Sequence, residues 1–214
     1  MDARLDELLS IASEAIGEPI ALSEFFEGWG ELGRQLVEML SRKNGFYAFE
    51  SALLVRPLRG AASPRGVVEW NSPALWKGEY HDDLGSVLFF AEDIFGCQFC
   101  IRGDEICTFD PETAKFEAMA LSVEGWASEV MSDYSLHTGY PLAHEWQDLH
   151  GSLTRGYRLL PVPPFVTGGK YEVENLFATP EVEGMSFRAF LSNGIRDLPD
   201  GAKIIFKLSS ESDG

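Results

Sequence analysis

Three cysteines, Cys97, Cys100 and Cys107, fall in one short stretch, and His137, His144 and His150 fall in another. Two thiolates spaced as in Cys97-Gln98-Phe99-Cys100 make a familiar half of a zinc site, but zinc takes four ligands in a tetrahedron. No second close pair of Cys or His stands nearby, and residues three apart in a strand project to opposite faces. The thiols therefore read as small buried hydrophobes. A thioredoxin-type redox pair needs its first cysteine at a helix amino end, which this stretch does not offer. On a helix His144 and Asp148 share a face, with His137, Glu145 and His150 close in sequence, a combination that metal or acid–base chemistry uses. It supports one enzymatic alternative, a metal-dependent hydrolase; exposed histidines beside carboxylates are also ordinary surface. No Gly-x-Ser-x-Gly elbow is present. Gly168-Gly169-Lys170-Tyr171 has half the look of a phosphate loop, yet Tyr171 stands where Ser or Thr is needed and Pro164 replaces the first glycine. The expectation is no catalytic residue, no metal and no cofactor.

Charge is the second signal. The 214 residues carry 34 acidic and 17 basic side chains, a formal net charge of −17. Nucleic-acid binders draw affinity from Lys and Arg against phosphates, so this field opposes such a role and favours a cationic partner. The acid is concentrated between Glu79 and Asp133, where only Arg102 and Lys115 offset 13 carboxylates. Those carboxylates read either as solvated outer faces that keep the chain soluble or as a recognition surface for a basic protein.

The elements that must position these groups are legible in part. Residues 2–16 place Leu5, Leu8, Leu9, Ala12 and Ile16 at helical spacing, with Gly17 and Pro19 as a stop. A second helix is expected from Trp29 to Lys43, ended by Asn44-Gly45. Phe46 to Val55 is ambiguous between a buried helix and a strand, and Val67 to Asn71 reads as a short strand. Val87 to Phe90 reads as a buried strand from its unbroken apolar run. From Gly96 a meander follows: Cys97 to Arg102, Glu105 to Phe109, the turn Asp110-Pro111-Glu112-Thr113, and Lys115 to Met119. Ser122 is placed to cap a helix burying Val123, Trp126, Ala127, Val130 and Tyr134. Beyond it, a helix at Pro141 to Leu149, an extended connector at Leu159 to Gly169, a strand at Glu174 to Ala178, a helix at Gly184 to Arg196 with Phe187, Phe190, Leu191 and Ile195 inward, and a strand at Ala202 to Leu208 are expected.

Together these give an α+β fold: a small antiparallel or mixed sheet flanked by helices in residues 1–135, and an α/β extension in residues 136–214 packed on that core. Two stretches, Asn44-Gly45-Phe46-Tyr47-Ala48-Phe49-Glu50-Ser51-Ala52-Leu53 and Phe89-Phe90-Ala91-Glu92-Asp93-Ile94-Phe95-Gly96, followed by Phe109-Asp110-Pro111-Glu112-Thr113 and the helix of Trp126, resemble the SMI1/KNR4-like, or SUKH, superfamily. The likeness spans roughly residues 22–135, and the remainder resembles an extension found in some bacterial members. What the resemblance implies is a compact fold without an active site, used mainly as an immunity protein that binds and blocks a co-encoded toxin, and elsewhere as a regulatory binding module. Many such toxins are nucleases with basic clefts, whose phosphate grip an acidic surface can imitate.

The resulting expectation is a non-enzymatic binding protein whose partner is a basic cognate toxin, with no nucleic acid and no membrane, and with the oligomeric state open. Carboxylates of Glu79, Asp82, Asp83, Glu92, Asp93, Asp104, Glu105, Asp110 and Glu112 would steer the partner, and Trp76 or Tyr80 would anchor it. Trp70, Phe89, Phe90, Phe95 and Phe99 read as core. No stretch approaches the roughly 20 apolar residues of a membrane span, and the unpaired thiols suit a reducing compartment, so the expected location is the cytoplasm.

Overall fold

A computed structural model of the chain describes residues 3–22, 28–60, 62–199 and 201–202. The described residues form an α+β fold: seven α-helices, a six-stranded antiparallel sheet in sequential order β1 to β6, and a two-stranded sheet formed by β7 and β8. The strand expected at Ala202 to Leu208 lies, but for its first residue, outside the described residues.

Helix α1 (Ala3–Ile11) buries Leu5, Leu8 and Leu9, and ends earlier than its apolar spacing suggests. The chain then turns extended, and Ser13, Ile16 and Gly17 donate to the carbonyls of Tyr47, Gly45 and Asn44. Those bonds occupy the outer edge of strand β1 (Phe46–Ala48), so pairing an otherwise open sheet edge outweighs one more helical turn. Helix α2 (Gly30–Arg42) buries Leu32, Leu36, Val37, Met39 and Leu40 along one stripe. Past its end, the Lys43 ammonium donates to the carbonyls of Leu9 and Ala12, satisfying the carboxyl end of α1. Gly45 follows with φ 71°, where a Cβ would collide with the Pro57 backbone.

The ambiguous stretch Phe46 to Val55 is a hairpin of β1 and β2 (Leu53–Val55). Its turn runs through Phe49, Glu50 and Ser51, all in the left-handed region. The strand expected at Val67 to Asn71 is instead a single helical turn, α3 (Val67–Trp70). Val67 and Trp70 are both buried while Val68 is exposed, a spacing of three that suits a helix rather than an alternating strand. The Asn71 side chain locks this turn to the sheet, donating to the Val67 and Phe89 carbonyls and accepting from the Phe89 N–H.

Strand β3 (Val87–Glu92) is buried along its whole length. Leu88 and Phe90 face one core with α1, α2 and Trp126, whereas Val87 and Phe89 face a second with Trp70, Trp76, Tyr80, Met185 and Ala189. Both sheet faces are covered, which is why the run shows no apolar–polar alternation. Strands β4 (Gln98–Arg102), β5 (Glu105–Asp110) and β6 (Lys115–Ala120) complete the expected meander. Ser122 caps α4 (Val123–Ser132) by accepting from the Gly125 N–H.

Short α5 (Tyr134–Thr138) and α6 (Tyr140–His150) lead to β7 (Tyr157–Pro161), β8 (Leu176–Pro180) and α7 (Glu181–Ile195). Ala143, Trp146, Leu159 and Leu176 of this region share a third core with Ala52, Ile94 and Phe95 of the hairpin and sheet. The inward face of α7 agrees with expectation at Leu191, which is buried, and differs elsewhere. Met185, Arg188, Ala189 and Ser192 are buried, whereas Phe190 is 72% exposed. At its start Glu181 is held inside by Arg56 and, further on, Arg188 is buried as well, so the buried stripe of the helix carries charged residues and leaves Phe190 outside.

Candidate functional site

The carboxylates expected to form one belt divide between two ends of the sheet. Val87 pairs with Arg102 and Arg102 with Glu105, so the loop feeding β3 and the β4–β5 turn lie at one end. That end carries Asp82, Asp83, Asp104 and Glu105. Asp83, Asp104 and Glu105 are exposed, and Asp82, half-buried, lies 3.5 Å from Arg196. Glu79, also exposed, accepts from the Ser186 hydroxyl. Leu121 stands at the same end, one residue past Ala120, which pairs with Ile106, and is 76% exposed.

At the other end the expectation of surface carboxylates fails for Glu92, Asp93 and Glu112, all of which are buried. Glu92 sits between two guanidiniums, 2.8 Å from Arg56 and 2.7 Å from Arg158. Arg56 also reaches Glu181 at 2.9 Å and lies flat on the Trp70 ring at 3.5 Å. Gln98 donates to Glu92 and accepts from the Trp70 indole N–H. Burial, the largest single influence, pushes the Glu92 carboxyl up, but Arg56 and Arg158 outweigh it and hold it at about 2. Two carboxylates thus balance two guanidiniums in a closed network that ties β2 and β3 to β7 and α7. Asp93 accepts from the N–H groups of Phe95 and Cys97, and burial pushes it up to about 7.

Trp76 and Tyr80 are also inside, which removes them as anchors for a partner. The Trp76 ring meets Trp70, Tyr80 and Phe89 at 5.0–5.9 Å between centroids, and the Tyr80 hydroxyl donates to the Pro111 carbonyl. Half-buried Asp110 closes its own turn, accepting from the Glu112 N–H and the Thr113 hydroxyl. It opens instead on a cleft of about 290 Å³ between the sheet and the extension, shared with Cys97, Glu112, Phe165, Tyr171 and Arg188. Burial raises the Cys97 thiol well above its usual value, with Asp93 and Asp110 adding to the effect, so it is a neutral thiol and a poor nucleophile.

Similarity to known proteins is confined to architecture. A crystal structure of Atu4351 from Agrobacterium tumefaciens matches with a TM-score of 0.57 at 13% identity, covering 88% of each chain. The likeness is one of fold. No family model and no curated protein matches the sequence.

The histidines do not converge. His144 lies 2.8 Å from Glu50 and 3.5 Å from Asp148 on the surface, and its pKa is raised, first by the Glu50 hydrogen bond. His150 packs against the Trp146 ring at 4.6 Å with the planes tilted by 35°, and His137 lies in the last turn of α5. Cys100 and Cys107 face each other across β4 and β5 in the second core. Among the described residues no group of three His, Cys, Asp or Glu is placed to hold a metal ion, and no helix is long and apolar enough to cross a membrane.

Arg158, Glu181 and Arg188 were not singled out from the sequence. Arg158, before Leu159-Leu160, and Arg188, between Phe187 and Ala189, each interrupt an apolar run, which is the local signal for them, whereas Glu181 in Thr179-Pro180-Glu181-Val182-Glu183 has none.

Proposed function

We propose that this chain is a non-enzymatic binding protein that covers a basic protein partner with the acidic end of its sheet. The observation that carries the reading is the placement of Asp82, Asp83, Asp104 and Glu105, in two stretches distant in sequence, at one end of the meander, where four carboxylates outnumber the neighbouring Lys77, Arg102 and Arg196. Like charges held together on a surface raise the local potential and speed encounter with an opposite charge. Leu121 beside them replaces Trp76 and Tyr80 as the apolar contact that slows dissociation. The sequence resemblance to the SUKH superfamily supports the more specific form, an immunity protein held against a co-encoded toxin.

The test is association with the product of the adjacent reading frame across a salt series. Converting Asp82, Asp83, Asp104 and Glu105 together to lysine is expected to slow association at low salt by about tenfold or more and to flatten its salt dependence. Leu121→Ala is expected to act on dissociation instead. Unchanged rates and salt dependence in the charge-reversed chain would assign the partner to another surface.

A further inference from the structure

We propose that the cleft between the sheet and the extension binds a free α-amino acid, its carboxylate on Arg188 and its ammonium toward Asp110 and Glu112. This site is independent of the acidic end of the sheet. Arg188 is 2% exposed, yet only its Nη2 is engaged, donating to the backbone carbonyls of Phe95 and Leu159. Its Nε and Nη1 make no hydrogen bond to a described residue, and no described carboxylate comes within ion-pair distance. Arg56 and Arg158, equally buried, each hold Glu92. Here the guanidinium lines an open cleft, where the edge that the backbone carbonyls leave unpaired can meet a ligand.

Two glycines leave the space that the guanidinium itself occupies at the cleft wall. A Cβ at Gly184 would come within 2.9 Å of the Arg188 Nη1, and one at Gly96 within 3.4 Å. The cleft also holds two carboxylates. Asp110 and Glu112 use oxygens to hold their own turn and the Val166 N–H, and a carboxylate has further lone pairs to offer. Those charges decide the ligand class. A simple anion on Arg188 would face Asp110 and Glu112, and a simple cation would face Arg188. A molecule carrying both charges a few ångströms apart satisfies both. From the extension, Phe165 and Tyr171 stack at 3.8 Å with ring planes 10° apart and form an apolar wall for a side chain. The volume of about 290 Å³ suits a small molecule rather than a folded segment of a partner.

The experiment is calorimetric titration of the full chain with each common L-α-amino acid up to millimolar concentration. Saturable binding of at least one is expected, and its absence from all overturns the proposal. For the amino acid that binds, the methyl ester and the N-acetyl derivative, each lacking one charge, are expected to bind at least about tenfold more weakly. Equal binding of either derivative overturns the assignment of that charge. Arg188→Gln is expected to abolish binding. Because that buried variant can fail to fold, Asp110→Asn, which keeps the turn's acceptor and removes a charge, is measured beside it and is expected to weaken binding about tenfold. Full affinity in Asp110→Asn would overturn the proposal.

Discussion

Glu92 and Asp93 are adjacent, equally buried and opposite in behaviour. Glu92 has Arg56 and Arg158 against its oxygens, while Asp93 is hydrogen-bonded by backbone N–H groups, which, with Arg188 and Arg158 acting from farther off, pull its pKa down less than burial pushes it up. Removing the Glu92 charge leaves two guanidiniums without their shared partner, and Glu92→Gln is expected to cost about 3–5 kcal/mol in urea unfolding. Its own titration adds an acid limb: the stabilisation is present above 4.5 and is lost as pH falls toward 2. Asp93 acts in the other direction. Its ordinary value is 3.8 and its folded value about 7, so between them the folded chain binds more protons than the unfolded one. Its contribution is most favourable below 3.8 and declines as pH rises through 7. Asp93→Asn keeps an oxygen for the Phe95 and Cys97 N–H groups and abolishes the charge. The variant is expected to melt a few degrees above the parent at pH 8 and level with it near pH 4, as calorimetry would show. The charge count along the sequence agrees with the exposure of Asp83, Asp104 and Glu105 and the partial exposure of Asp82, since turns put carboxylates outside. It misplaced Glu92 because the residues that draw it inward, Arg56 and Arg158, lie 36 and 66 positions away.

Elements whose pattern is settled locally were readable: α2, α4 as far as Val130, the buried β3 and the meander through β6, although Tyr134, expected on the buried side of α4, begins α5 and is exposed. Those settled by a distant neighbour were not. The chain after Ile11 leaves the helix to cover the edge of β1, α3 is wound by burial of Val67 with Trp70, and α7 carries charge on its buried stripe, with Glu181 held inside by Arg56. The β1–β2 turn is the clearest conflict between local preference and tertiary demand. Phe49, Glu50 and Ser51 all adopt positive φ, at 51°, 52° and 70°. Helix α6 holds this turn in place, with Tyr140 and His144 on the Glu50 carboxylate and Gln147 donating to the Glu50 carbonyl. Left-handed backbone costs an ordinary residue roughly 1–2 kcal/mol, and glycine forfeits roughly 0.5–1 kcal/mol through its freer unfolded chain. The first effect is larger, so Ser51→Gly is expected to stabilise the protein by roughly 0.5–1 kcal/mol. A urea midpoint that falls instead would mean that the Ser51 side chain contributes more than its geometry shows.

At the scale of the whole molecule, the extension completes the sheet's interior instead of resting on a finished surface. Arg56 in the first part needs Glu181 in the second, and Glu92 needs Arg158. Backbone bonds cross the same boundary, from the Ile94 N–H to the Thr138 carbonyl at 3.2 Å and from the Leu159 N–H to the Ile94 carbonyl at 2.8 Å. Ala52, Ile94 and Phe95 share their core with Ala143, Trp146, Leu153, Leu159, Val173 and Leu176 of the extension, and Trp70 and Trp76 are roofed by Met185 and Ala189 of α7. Cutting the chain after residue 135 would therefore open two of the three cores and strand buried charges, a combined loss larger than the 5–15 kcal/mol by which domains are usually stable. The 1–135 fragment is expected to show no cooperative thermal transition. In the full chain, backbone circular dichroism and tryptophan fluorescence are expected to unfold together, because Trp146 reports the extension and Trp70, Trp76 and Trp126 report the sheet. Two separated transitions, or a fragment as stable as the parent, would show that the sheet is sufficient alone. Coincident unfolding would instead explain why the cleft at the boundary keeps its shape: Arg188 and the Phe165–Tyr171 stack are held by the same network that holds the fold.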